Sequence, residues 1–266
     1  GGTGGNASSS ANTLLGYGIG DMDTGSISNT LIGHRVAGNG SHADMTNNTG
    51  VGNLALFYVS SGDNNTALGS VALHSLTTGS HNVAVGKESG QNLTTGNQNI
   101  AIGMQALNTA TDVSNVVAIG LYAGLDINDT GADGSVLVGR SAGENITSGS
   151  GNTAVGYQAL DATTTQNNST AIGYNAGGAS AGNSNLFVGY NAGATGTNDV
   201  VSGTQNTIVG TSARASSASA QGQIVLGVGA VGQGDHTAVI GGDAVTDVYM
   251  AQDSGATVHC AGINAV

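Results

Sequence analysis

The chain is short of charge, and most of what it has is of one sign. Charged residues are 8% of the 266, with 4 basic against 16 acidic and a formal net charge of −12. That balance argues against nucleic acid as a partner and against anionic membrane surfaces, which both call for clustered Lys and Arg. Proline and tryptophan are absent, and aromatics are 3%. A conventional core built on large aromatic fillers is therefore excluded. The single cysteine, Cys260, cannot staple the chain to itself, so the fold does not depend on intrachain disulfides. No apolar run is long enough to span a bilayer as a helix, so no membrane insertion is expected. The chain opens at Gly1 without a signal-peptide pattern, which points to a fragment or a processed N-terminus.

What the chain has in abundance is glycine, 47 residues, much of it at a fixed place in a repeat. The unit is Asn-Thr-Ala-Val/Ile-Gly, followed three residues later by Ala. Its anchor glycines are Gly16, Gly33, Gly52, Gly69, Gly86, Gly103, Gly120, Gly139, Gly156, Gly173, Gly189, Gly210, Gly227 and Gly241, spaced 17, 19, 17, 17, 17, 17, 19, 17, 17, 16, 21, 17 and 14 apart. One strand-like run per short, fixed period is the signature of a solenoid. Fourteen rungs at a strand separation of about 4.8 Å give a coil roughly 65–70 Å long.

The position before each anchor is a branched aliphatic in every copy, from Leu15 and Ile32 to Leu226 and Ile240. Two residues earlier stand Thr30, Thr66 and Thr153, or Val83, Ile100 and Val117. Residues two apart share one face of a strand, and β-branched side chains favour that conformation. This face is expected to line the interior. The intervening position holds Ala67, Ala84, Ala101, Ala118, Ala154 and Ala171 in the middle of the chain. It is expected to point outward as a second apolar stripe. A strand apolar on both faces is buried on both, so that stripe calls for another copy of the chain. Past the anchor, the recurring alanines (Ala72, Ala106, Ala159) suggest a short second strand, and clusters such as Thr77-Thr78-Gly79 suggest turns. Asparagines before the strand (Asn65, Asn82, Asn99) read equally as a rung-to-rung amide ladder or as separate Asx turns.

Three regions follow: a flexible leader or linker over 1–11, the solenoid repeat domain over 12–245, and a C-terminal cap or tip hairpin over 246–266.

The units NTALGSVAL (65–73), NVAVGKESG (82–90), NIAIGMQAL (99–107), NTAVGYQAL (152–160) and STAIGYNAG (169–177) resemble the head repeats of trimeric autotransporter adhesins. They resemble still more the related repeats of bacteriophage tail fibres and bacterial trimeric fibre proteins. The resemblance covers roughly residues 12–245. It implies an all-β, left-handed parallel β-roll of about 14 rungs assembled as a homotrimer. It also implies an extracellular place on a virion tail fibre or a bacterial cell surface, an upstream fibre or stalk component, and a structural role in adhesion or receptor binding. The segment VYMAQDSGATVHCAGI (248–263) resembles the stretch ahead of a self-cleaving intramolecular chaperone in some phage fibres. No such chaperone, coiled-coil stalk or membrane anchor follows, which favours a processed fibre.

Motifs inside a repeat must first be explained by the repeat. Gly139-Arg140-Ser141-Ala142-Gly143 matches a nucleophile elbow, yet Gly139 is an anchor and Ser141 occupies the slot of Gln158 and Asn175. Gly227-Val228-Gly229-Ala230-Val231-Gly232 lacks the helix that a dinucleotide site needs. Asp126 to Gly134 is a loose calcium-like loop without a closing acid, and the histidines show no metal-ligand spacing. No catalytic residue, cofactor or metal site is expected. Tyr157, Tyr174 and Tyr190 follow successive anchors and read either as an aromatic stripe for sugar rings or as corner fillers.

Gly69, Gly86, Gly103, Gly156 and Gly173 are structural residues of the repeat. Receptor contact, to a cell-surface glycan or protein, is expected where the sequence leaves the period, with Tyr249 and His259 as the candidates. The alternatives are a fibre-borne glycan depolymerase and an ice-binding solenoid. Against the second, the threonines are expected on the interior face.

Overall fold

Each repeat forms one short strand, because its run of aliphatic and β-branched residues favours the extended backbone and an anchor glycine follows the run. The computed structural model describes residues 11–20, 22, 25–39, 44–128, 130–180 and 182–248. Its strands are β1 (Thr13–Tyr17), β2 (Thr30–His34), β3 (Thr49–Asn53), β4 (Thr66–Leu68), β5 (Val83–Val85), β6 (Ile100–Ile102) and β7 (Val117–Ile119). They continue as β8 (Val136–Val138), β9 (Thr153–Val155), β10 (Thr170–Ile172), β11 (Leu186–Val188), β12 (Thr207–Val209), β13 (Ile224–Leu226) and β14 (Ala238–Ile240). All lie in one 14-stranded parallel sheet in sequence order, with like residues paired, as in Ala84 with Ala101 and Val85 with Ile102. The molecule is an all-β parallel β-solenoid of about 13 turns with a period of about 17 residues.

The two faces of the strand are the reverse of those expected. Ala67, Ala84, Ala118, Ala154 and Ala171 are fully buried and form the core with Ala72, Ala106, Ala142 and Ala159. The branched residues face outward: Val51, Val85, Ile102 and Val155 are half-buried, and Leu68, Ile172 and Ile240 are exposed. The coil is narrow, so its opposite walls approach too closely for a bulky residue in every rung. Small residues win the interior on volume, although larger ones would gain more from burial.

In several rungs bulk is exchanged between the strand and the corner, while Ala84 with Gly90 and Ala118 with Gly124 leave both small beside the bulky Leu73 and Leu137 of adjacent rungs. Where the inward strand residue is Ala154, the residue six positions on is Leu160, and both are buried. Where it is Leu137 or Phe187, the flanking corners are glycines. A Cβ on Gly143 would lie 2.8 Å from Leu137 Cδ2, and one on Gly193 would run into the Phe187 ring.

Among the described residues the anchor is followed by no second strand, only by an isolated bridge between Arg214 and Val231 in two of the last rungs. The chain runs through consecutive turns there, with left-handed residues such as Gln105 (φ 55°) and Leu107 (φ 53°) bending it around the core. The expected hairpin lies outside the described residues from Tyr249 onward.

Polar ladders hold the rungs together. The Asn65 side-chain oxygen accepts from the Asn82 backbone N–H at 2.9 Å and from its amide at 3.1 Å, and Asn82 does the same for Asn99 at 3.0 Å each. Each amide also reaches a turn carbonyl, as Asn82 Nδ2 does to Gly96 at 2.8 Å. The asparagines therefore form the rung-to-rung ladder, and Ser169 stands in for one of them by accepting from Asn185 N–H at 3.2 Å. A second ladder, two residues earlier, runs the opposite way. Backbone N–H groups of Thr46, Asp63, Ser80 and Asn97 each donate to the side-chain oxygen one rung on, at Asp63, Ser80, Asn97 and Ser114. Threonine hydroxyls at the far corner donate to the next rung's carbonyl, Thr77 to Thr94 and Thr94 to Thr111, at 3.0 and 2.8 Å. These bonds satisfy backbone groups that the three-residue strands leave over.

Candidate functional site

The outward face of the sheet carries columns of side chains parallel to the coil axis. The first two are the threonine/valine column (Thr66, Val83, Ile100, Val117) and the branched-aliphatic column (Leu68, Val85, Ile102, Ile119). Neither contains a charged residue from β1 to β14. Together they form a strip ~60 Å long and about 10 Å wide, on the order of 600 Å², at the upper end of what a soluble monomer exposes.

A third column stands just past the anchor glycines. Tyr157 and Tyr174 stack with ring centroids 5.0 Å apart, and Tyr174 and Tyr190 at 5.2 Å. The Arg140 guanidinium caps the Tyr157 ring at 5.6 Å. Earlier in the column Tyr17 stacks on His34 at 5.6 Å, and His34 Nδ1 meets the Asn53 amide at 2.8 Å. Tyr174 has a ring on each side, and Tyr157 lies between Tyr174 and the Arg140 guanidinium, so of these two only edges and hydroxyls remain open. Within this row only Tyr190, stacked on one side by Tyr174 and 51% exposed, keeps ring surface for a sugar.

The anchor glycines are needed for two reasons at once. Gly69, Gly86, Gly103, Gly156 and Gly173 all have φ between 130° and 148°. A Cβ on any of them would also collide with the peptide of the next anchor, as on Gly86, where it would stand 2.7 Å from the Gly103 carbonyl carbon. Tyr249 and His259 lie outside the described residues.

Ser141 is a left-handed corner (φ 56°) whose N–H donates to the Leu121 carbonyl, and β8 runs into turns and not into a helix. Asp133, in the calcium-like loop, accepts from Ser114 N–H at 2.8 Å as part of the second ladder. Among the described residues, no three His, Cys, Asp or Glu side chains cluster as metal ligands, and no helix is long and apolar enough to cross a membrane.

The sequence reading missed a cluster at the outer corner. Arg35, Phe57, Tyr58 and His74 come together from three successive rungs. The Arg35 guanidinium lies over one face of Phe57 at 4.8 Å, and His74 stacks on the ring at 5.3 Å with planes 10° apart. Tyr58 stands edge-to-face with both, at 4.8 Å to Phe57 and 5.1 Å to His74. Burial among these rings pushes the His74 pKa below its usual value. The available signal was a departure from the repeat. The slots of Phe57 and Tyr58 hold Gln91 and Asn92, or Asn108 and Thr109, in later rungs.

No protein-family model matches the chain, and no curated protein is significantly similar to it.

Proposed function

We propose that this chain is a structural segment of a homotrimeric extracellular fibre, carried by a virion tail or a bacterial cell surface, with a role in adhesion or receptor binding. In this reading three left-handed solenoids pack their outer strips about a common axis. The observation that carries the proposal is the unbroken, uncharged strip of branched residues from Leu15 to Ile240. Such a strip gains most from burial against copies of itself. The chain is read as non-enzymatic, with a glycan or protein on a cell surface as its target and a further fibre or stalk component upstream.

The ice-binding alternative gains one point, because Thr30, Thr49, Thr66, Thr153 and Thr170 lie on the outward face and not inside. The central rungs weigh against it. There the same column is Val83, Ile100, Val117 and Val136, which favours dry packing over ordered water. A glycan depolymerase would show as new reducing ends on a host polysaccharide.

Sedimentation equilibrium tests the assembly. The expected mass is three times 25.7 kDa. A stable folded monomer that shows thermal hysteresis would replace the fibre reading with ice binding.

A further inference from the structure

We propose that the corner formed by Arg35, Phe57, Tyr58 and His74 binds a carboxylate-bearing sugar, with Tyr58 as the platform for the pyranose ring and Arg35 as the partner of its carboxylate. The proposal rests on the receptor-binding reading and names a site and a ligand class for it.

The fold does not require this cluster. The slots of Phe57 and Tyr58 are polar in the rungs that carry Gln91, Asn92, Asn108 and Thr109, and those rungs close equally well. Phe57 is buried, but Tyr58 and Arg35 beside it are exposed.

The geometry leaves part of one ring accessible. Arg35 covers one face of Phe57 and His74 the other. Tyr58, at 79° to Phe57 and 88° to His74, therefore meets the edges of both rings with one of its own faces. The residue is 42% exposed, which leaves part of its ring accessible to a ligand. An aromatic face backed by rigid neighbours suits the C–H-lined face of a pyranose, which apolar contact favours.

The charge is local and unspent. Of the four cations, Lys87 pairs with Glu88 at 3.0 Å, Arg140 lies over Tyr157, and Arg214 has its Nε buried. Arg35 is exposed and has no carboxylate partner among the described residues. The Arg35 N–H donors make no ion pair among the described residues and suit a bidentate carboxylate. The net charge of −12 opposes polyanions at long range. At about 0.15 M salt the screening length is ~8 Å, so a docked ligand senses chiefly the nearby arginine.

Isothermal titration of the full chain with polygalacturonate oligomers, beside their methyl-esterified forms, tests this at about 0.15 M salt. Sedimentation is measured on the same samples. The expected result is saturable binding of the acid and at least a ten-fold weaker response to the ester. Arg35→Gln and Tyr58→Ser should each lose at least ten-fold, while Lys87→Gln should bind as the parent does. Both altered residues are at the surface, and unchanged circular dichroism would separate lost binding from lost fold. Absence of binding by the parent, equal binding of the ester, or full binding by Arg35→Gln overturns the site. A trimer that does not bind defeats this inference alone. A monomer that binds defeats the fibre assembly alone.

Discussion

The Asn65 side-chain oxygen takes two hydrogen bonds from Asn82, one from its backbone and one from its amide. Asn82 passes the same pair to Asn99 through its own oxygen and spends its remaining amide hydrogen on the Gly96 carbonyl. One residue per rung thus closes three polar groups in a place with almost no solvent access.

Replacing Asn82 by alanine removes the acceptor for Asn99 and the donor for Gly96. Buried groups left without partners cost about 1–3 kcal/mol each. Asn82→Ala is expected to lower the urea midpoint strongly, and Asn82→Ser less, because Ser169 already accepts the same backbone bond. Equilibrium urea melts followed by circular dichroism provide the check, and equal midpoints for parent and alanine variant would contradict the ladder's role.

Adjacent residues should fail in different ways. Ala101 lies in the core, and Ile102 is half-buried on the outer strip. Ala101→Asp places an unpaired charge in the interior and should unfold the chain. Ala154→Asp should do the same. Ile102→Asp should leave each solenoid folded and break the proposed trimer. Circular dichroism beside sedimentation velocity distinguishes the two. A folded, dissociated Ala101→Asp together with an unfolded Ile102→Asp would return the faces to their sequence-based assignment.

The architecture was legible in the sequence because the anchor column admits only glycine and its neighbour is always branched. Register follows from the same pattern, since equivalent positions of the repeat pair from rung to rung. The choice of face was not legible. Hydrophobicity alone ranks Val85 above Ala84 as a core residue. The deciding quantity is the distance across the coil, which no local pattern displays. The second ladder was hidden for a related reason: Asp63, Ser80, Asn97 and Ser114 differ in type and share only an oxygen that a neighbouring N–H can reach. The corner cluster joins residues as far apart as Arg35 and His74, and only the winding of the coil brings them together.

One acidic pair predicts a pH dependence. Burial, and then repulsion from Glu144, holds the Asp161 carboxyl above its ordinary value of 3.8. The folded protein therefore binds this proton more tightly than the unfolded chain does. Its contribution to stability is complete below the unfolded value and is lost as pH rises through the raised, folded one. Asp161→Asn should melt close to the parent near pH 3 and increasingly above it towards about pH 7. Glu144→Gln should give a smaller change of the same sign. Thermal melts across that range decide it, and a difference that shrinks with rising pH would show the sign to be wrong.

The sharpest test of the core is a loss that a second loss repairs. Leu137 fills its rung from the strand, and Gly143 leaves room for it at the corner; in the next rung Ala154 and Leu160 divide the same space the other way. Gly143→Leu alone should clash with Leu137 and with Ile146, whose Cδ1 would lie 2.7 Å from the new Cβ. Overpacking of this kind costs about 1–3 kcal/mol, and Leu137→Ala alone should cost about 2–5 kcal/mol by opening a cavity. Combined, the two approach the arrangement of Ala67, Leu73 and Leu76, where a bulky residue also stands in the slot of Ile146, and Leu73 itself already adopts φ 47° at that corner. The double variant is therefore expected to be more stable than Leu137→Ala by at least about 1 kcal/mol, a coupling that residues without contact do not show. Urea melts of the four proteins give the coupling energy directly. Simple additivity would mean that corner and strand residues do not share one volume, and the account of the core given by Gly143 and Leu137 would fail.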